Sequence, residues 1–216
     1  MRSPTTIVTI VCTLLLAAPL ARADEEEVEK AGNSHRGQVG LSVQLGTGYR
    51  VLFPYNEEYC GQLSSDGNGV KSVCTGRSPF FVDFGLSYGV STAIELMAEL
   101  RLGMEDDFKG RDGTAGPKPI AYAAGVRIFV DAEGQLKFFS TLEGVVETTD
   151  YSKTTSGGNG VALDNTADFG FRNVNGVIFD LHRTFGIYAH FGETATFSNW
   201  LRFELHGGLG VQVRFP

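Results

Sequence analysis

The sequence predicts an all-β protein, an eight-stranded antiparallel up-and-down barrel that crosses a membrane. Three observations predict it. Apolar and polar residues alternate with period two through most of the chain, and only a β-strand sends successive side chains to opposite faces. The connections between the alternating segments are short and long in turn. The chain also opens on a segment with the layout of an export signal.

That opening segment is residues 1–23 of the 216. Arg2 supplies the positive charge, Ile7 to Leu16 a short apolar stretch, and Ala21-Arg22-Ala23 an A-x-A cleavage site. The stretch is shorter than the roughly 20 apolar residues of a spanning helix. Cys12 lacks the preceding apolar run of a lipoprotein signal. Residues 24–35 open with Asp24-Glu25-Glu26-Glu27-Val28-Glu29-Lys30 and have no apolar period, which predicts a disordered acidic leader. Residues 36–216 then form the barrel.

Its first strand carries Val39, Leu41, Val43, Leu45, Tyr49 and Val51 on one face, against Ser42, Gln44 and Arg50 on the other. The second sets Phe80, Val82, Phe84, Leu86, Tyr88 and Val90 against Asp83 and Ser87. The third sets Ile94, Leu96, Ala98, Leu100 and Leu102 against Glu95, Glu99 and Arg101. In the fourth, Ile120, Tyr122, Val126, Ile128 and Val130 oppose Arg127 and Asp131. In the fifth, Leu136, Phe138, Leu142 and Val146 oppose Lys137, Thr141, Glu143 and Glu147. The sixth, 169–181, is less regular, because Asn173 and Asn175 share a face with Val177, Phe179 and Leu181. Either the strand projects beyond the bilayer there or a bulge shifts its register. The seventh has Ile187, Ala189 and Phe191 opposite Tyr188 and His190, and the eighth sets Leu201 to Phe215 against Arg202, Glu204, His206, Gln212 and Arg214.

Ser91-Thr92, Ala132-Glu133-Gly134 and Arg183-Thr184 read as tight turns, whereas 53–78, 105–118 and 148–168 are long and polar. Short turns at one end and long loops at the other is the layout of barrels in outer membranes, with loops outside the cell. Period two alone does not say which face is outside, since a soluble barrel has the same period with the faces exchanged. Volume decides. Eight strands enclose a lumen just wide enough for side chains, and the Phe, Tyr, Leu and Ile of the apolar set would overfill it. The apolar faces also carry almost no charge, and a lipid-facing Arg or Lys costs roughly 2–4 kcal/mol at mid-bilayer. The apolar set therefore faces hydrocarbon. Aromatic residues gather near both strand ends, as at the two membrane interfaces.

The inward set then holds Asp83, Glu95, Glu99, Arg101, Arg127, Asp131, Lys137, Glu143, Glu147, Arg172, Asp180, His190, Arg202, Glu204, His206 and Arg214. Buried charges must be paired or solvated. An internal salt-bridge network that plugs the barrel is the leading expectation, and a polar pore or proton path is the alternative. Cys60 and Cys74, an even pair in an exported chain, predict a disulfide worth roughly 3 kcal/mol for a loop of about 15 residues; free thiols or a metal pair are the other readings. A net charge of −7 and no basic stripe exclude a nucleic-acid surface. No metal or cofactor motif is present.

The terminal strand Leu209-Gly210-Val211-Gln212-Val213-Arg214-Phe215 resembles the C-terminal assembly signal of the small eight-stranded outer-membrane barrels, the OmpA-barrel, OmpX and OmpW group of surface proteins. The resemblance covers residues 36–216; Pro216 departs from it, since members usually end on the aromatic. It implies an outer-membrane location, contact with lipids and lipopolysaccharide, insertion by the barrel-assembly machinery, and a monomer. It implies a role in envelope integrity or surface contact without catalysis, with a narrow OmpW-like channel for small or hydrophobic solutes as the alternative. Some similar barrels modify lipid A, and Ser198-Asn199 resembles the Ser-Asn pair of the deacylase type. No His stands two residues before Ser198, however, and a serine nucleophile needs a base. The acidic run Glu105-Asp106-Asp107, with Asp112, lacks the spacing of a calcium loop.

Overall fold

The computed structural model describes residues 34–54, 73–106, 118–148, 167–198 and 200–216. The signal segment, the acidic leader up to residue 33, Cys60 with its proposed disulfide, Asp107, Asp112 and Asn199 lie outside the described residues. The strands are β1 (Val39–Pro54), β2 (Cys74–Gly89), β3 (Ile94–Gly103), β4 (Ile120–Val130), β5 (Leu136–Glu147), β6 (Asp168–His182), β7 (Phe185–Thr196) and β8 (Trp200–Phe215). Each pairs antiparallel with the next, and β8 pairs with β1, so the sheet closes into a barrel in sequence order. Closure leaves no unpaired sheet edge.

Register keeps the faces apart. Leu41 stands opposite Leu86 on one side and Val213 on the other, all outward, whereas Gln44 stands opposite Asp83 and Gly210. The division is sharp: Val130 is 66% exposed and the adjacent Phe129 only 4%. Outside lie Leu142, Phe171, Phe203, Leu205 and Leu209; inside lie almost all the charged groups of the strands.

The inward face is less uniformly small and polar than its sequence suggests. Phe81, Phe129, Phe139 and Tyr188 are buried in the lumen, and Phe129, Phe139, Val174, Ile178 and Tyr188 pack as one cluster. Glycines make room for them. A Cβ at Gly176 would sit 2.6 Å from Phe139 Cζ, and one at Gly210 would meet the Tyr188 hydroxyl at 2.6 Å. Large residues on one strand thus fill space left by glycine on the facing one, which total volume alone does not reveal.

Several details differ from expectation. The first long connection narrows, because β1 runs to Pro54 and β2 begins at Cys74. The β1–β2 register shifts between Gly46 and Gly48, opposite Ser78 to Phe81. Pro79, which has no N–H for the ladder, falls in this irregularity, so the strand passes through it. In β6 no bulge occurs beside the asparagines: pairing with β5 is continuous from Asp168 to Phe179, and the shift against β7 falls at Asp180 to His182. Asn173 and Asn175 therefore point outward. Asp131 is not in the lumen. It is exposed, with φ 55°, in the turn where Gly134 N donates to its carbonyl at 3.1 Å; aspartate tolerates that left-handed conformation.

The last difference concerns His35, which the sequence reading leaves in the leader. It is 2% exposed, inside the turn end of the barrel. Gly37, at φ 74°, lets the chain reverse, and its N–H donates to Gly89 O at 2.7 Å. A Cβ at Gly89 would collide with the His35 carbonyl, so glycine there permits the close approach.

Candidate functional site

The candidate site is the lumen, which consists of two layers of charge. At the turn end, β3, β5, β6 and β8 each aim a charged side chain at the His35 ring. His35 Nδ1 lies 2.6 Å from Glu95 Oε1, and Nε2 lies 3.0 Å from Asp180 Oδ2 and 3.1 Å from Lys137 Nζ. Lys137 also donates to Asp180, and Arg214 donates to His35 Nε2 and, at 2.6 Å, to Asp180 Oδ1. The imidazole is thus held between the carboxylates of Glu95 and Asp180 and the cations Lys137 and Arg214. Arg127 completes the layer, 3.4 Å from Glu95 and 3.4 Å from Thr141 Oγ1. The Phe129 ring meets the imidazole edge-on at 4.9 Å.

At the loop end, Arg101 donates twice to Asp83, at 2.9 and 2.8 Å, and reaches Glu204 at 3.4 Å. Its guanidinium lies 3.7 Å over the Phe81 ring, a cation–π contact. Gln44 donates to Asp83 at 2.6 Å. Arg172 bridges Glu99 at 3.1 Å and Glu143 at 3.4 Å, and Arg202 donates to Glu147. Arg50 and Asp168, also buried, belong to this end. A cavity of about 30 Å³ lies among Arg50, Phe81, Arg101, Arg172 and Glu204. That is room for a water molecule rather than for a solute.

Between the layers stand His190 and His206, with ring centroids 5.8 Å apart. They occupy reciprocal positions: His190 faces Gly208 across β7–β8, and His206 faces Gly192. A Cβ at either glycine would meet the opposing imidazole at under 3 Å. His206 Nε2 lies 3.4 Å from Thr194 Oγ1, and Gln212 donates to Ser87 at 2.9 Å.

The lumen thus brings together Asp83, Glu95, Glu99, Arg101, Arg127, Glu143, Arg172, His190, Arg202, Glu204, His206 and Arg214. Sequence reasoning placed Tyr188 inward but missed the inward phenylalanines Phe81, Phe129 and Phe139, and it missed His35, whose only signal is the Arg36-Gly37 turn chemistry. Cys74 begins β2. Among the described residues no group of three or more His, Cys, Asp or Glu could hold a metal ion. Ser198 is exposed; its hydroxyl accepts from Phe169 N at 3.3 Å and its N–H donates to Asp168 at 2.8 Å. That is capping of the β6–β7 end rather than pairing with a base. Outside the lumen, Arg77 donates to Glu105 at 2.5 Å and Phe80 N donates to it at 3.0 Å. The Arg77 hydrogen bond, helped by that amide, holds the Glu105 carboxyl below its ordinary value.

The outer wall also has relief. An apolar groove of about 580 Å³ runs over β1, β6, β7 and β8, edged by Leu45, Phe179, Ile187 and Leu209 with Ala189 between them.

No protein-family model matches this chain, and no curated protein matches it in sequence. Solved structures do match its shape. Neisserial surface protein A superposes with a TM-score of 0.51 at 13% identity, covering 83% of this chain and 98% of that one. The N-terminal β-barrel domain of OprF from Pseudomonas aeruginosa superposes with a TM-score of 0.50 at 11% identity, again covering 83% and 98%. At such identities the likeness extends to the fold: a closed, all-antiparallel eight-stranded barrel of the outer-membrane type.

Proposed function

We propose that this chain, folded as a small outer-membrane-type barrel, is a closed, non-catalytic barrel of a Gram-negative-type outer membrane that serves envelope integrity or contact at the cell surface. The observation that carries the reading is the lumen, crossed by two layers of ion pairs, with a cavity of only about 30 Å³ among the charges of the loop-end layer. The outward apolar residues, 69% exposed at Leu209 and 62% at Leu142, have hydrocarbon as their natural solvent. On this reading residues 1–23 are removed on export, the terminal strand engages the assembly machinery, and the long polar connections meet lipopolysaccharide or another surface. The test is a recording in planar lipid bilayers. Native protein is expected to show no steady conductance, and regular channel openings would overturn the reading.

A second reading, handling of small hydrophobic solutes, draws on the apolar groove along β1, β6, β7 and β8. It predicts that native mass spectrometry of protein extracted in mild detergent shows a persistent apolar adduct. Bare protein alone would remove it.

A further inference from the structure

Among the described residues, polar side chains gather on the outer wall where β5, β6 and β7 meet. Asn175 and Ser140 face each other across β5–β6, and Asn173 faces Glu193 across β6–β7. Ser140, Asn175 and Glu193 are exposed and Asn173 is half-buried, all on the outward side. The patch does not lie beyond the bilayer edge. Towards the loop end the same face continues through Phe171, Phe169 and Phe197, with the Phe171 and Phe197 rings 6.1 Å apart, as an interfacial aromatic girdle does. Towards the turn end it continues through Phe179 and Leu181. The polar groups therefore sit within the apolar band, where acyl chains offer no hydrogen bonds.

Internal pairing uses only part of their capacity. Asn175 Nδ2 donates to Asn173 Oδ1 at 2.5 Å, and Asn173 Nδ2 donates to the Thr141 carbonyl at 3.2 Å. Each carboxamide has a second N–H, and Asn175 Oδ1 and the Glu193 carboxylate add acceptors. A surface that offers both donors and acceptors complements a copy of itself about a two-fold axis. Beside it the outward row Gly144, Ala124, Ala98 is paired in register across β3, β4 and β5. Such small side chains let a second wall come close.

We infer that the patch of Ser140, Asn173, Asn175 and Glu193 is where two copies of this barrel associate side by side in the membrane. This departs from the monomer that the sequence resemblance implies, and it rests on the membrane placement proposed above. Donors and acceptors of one wall meet those of the other, and neither faces lipid.

The test counts copies in phosphatidylcholine vesicles. Protein labelled once at its N-terminus is reconstituted at high dilution, and photobleaching steps are scored. Native chains bleach in two steps. The Asn173→Leu/Asn175→Leu variant, with an unchanged β circular-dichroism spectrum, loses the two-step population about tenfold. A second readout does not depend on that variant. In a C60S/C74S background, Ser140→Cys forms an intermolecular disulfide on oxidation, whereas Leu41→Cys, outward on β1 across the barrel, does not. Single-step bleaching of the native chain, or equal cross-linking at both positions, would overturn the inference while leaving the membrane reading intact. Failure of native protein to enter the vesicles would overturn both.

Discussion

His35 Nδ1 lies 2.6 Å from Glu95 Oε1, so a residue ahead of the first strand is tied to the third strand inside the barrel. The same ring faces Asp180, Lys137 and Arg214. Removing it leaves three cations, Arg127, Lys137 and Arg214, around two carboxylates without their common neighbour. His35→Ala is expected to destabilise the barrel by about 1–3 kcal/mol, the cost of unsatisfied buried polar groups. Urea unfolding in detergent micelles checks this, and an unchanged midpoint would show that the ring is not a keystone.

Arg172 separates two acids, Glu99 and Glu143. Arg172→Met strands two buried carboxylates and should cost about 3–5 kcal/mol. Adding Glu99→Gln and Glu143→Gln should recover most of it, because a buried ion cluster can be exchanged for neutral groups at little net cost. If the triple variant is no more stable than Arg172→Met, the three groups do not act as a unit.

Gly210 gives room to Tyr188. Gly210→Ala is expected to lose about 1–3 kcal/mol through overpacking. Tyr188→Leu in the same chain should restore part of that loss. The comparison needs only the denaturant midpoints of the two single variants and the double, and strict additivity would contradict the fit described.

Glu105 titrates at the loop end, beyond β3. Its carboxyl is held below the ordinary value of 4.5 by Arg77 and the Phe80 amide. A group whose folded pKa is depressed contributes stability above its unfolded pKa and loses it as pH falls through the folded value. The stability gap between native protein and Glu105→Gln should therefore be present at neutral pH and close on acidification below 4.5. The gap is small at any pH, because both partners are solvent-exposed and the pair is screened. A gap that widens in acid would reverse the assignment.

The fold is legible in the sequence because the period of a strand is two and the register preserves it. Val39 to Val51 and Leu201 to Phe215 show their two faces without any structure, and the polar side of that alternation is the lumen. What is not legible depends on cross-strand register or on residues outside strands. Phe139 fits inside only because Gly176 lies beside it, and nothing within β5 announces that. Asp131 continues the polar face of β4 by number, yet a left-handed turn has already taken it out of the strand. His35 follows no period, since it enters by a turn. Asn173 and Asn175 read in the sequence as a projecting strand end or a bulge, and seeing them as a polar patch on an apolar wall needs the pairing partners of β6 to be known.

The most direct measurement is of what touches each face. In a C60S/C74S background, Leu209→Cys and Gln212→Cys are prepared, the first outward and 69% exposed, the second inward and 1% exposed. Leu209→Cys is labelled with a fluorophore, refolded into vesicles and exposed to lipids brominated along the acyl chain; Gln212→Cys is treated with a water-soluble thiol reagent in the same vesicles. Strong quenching is expected at position 209 and protection at position 212. A probe at 209 that is quenched by aqueous iodide and not by brominated lipid would contradict this assignment of the faces.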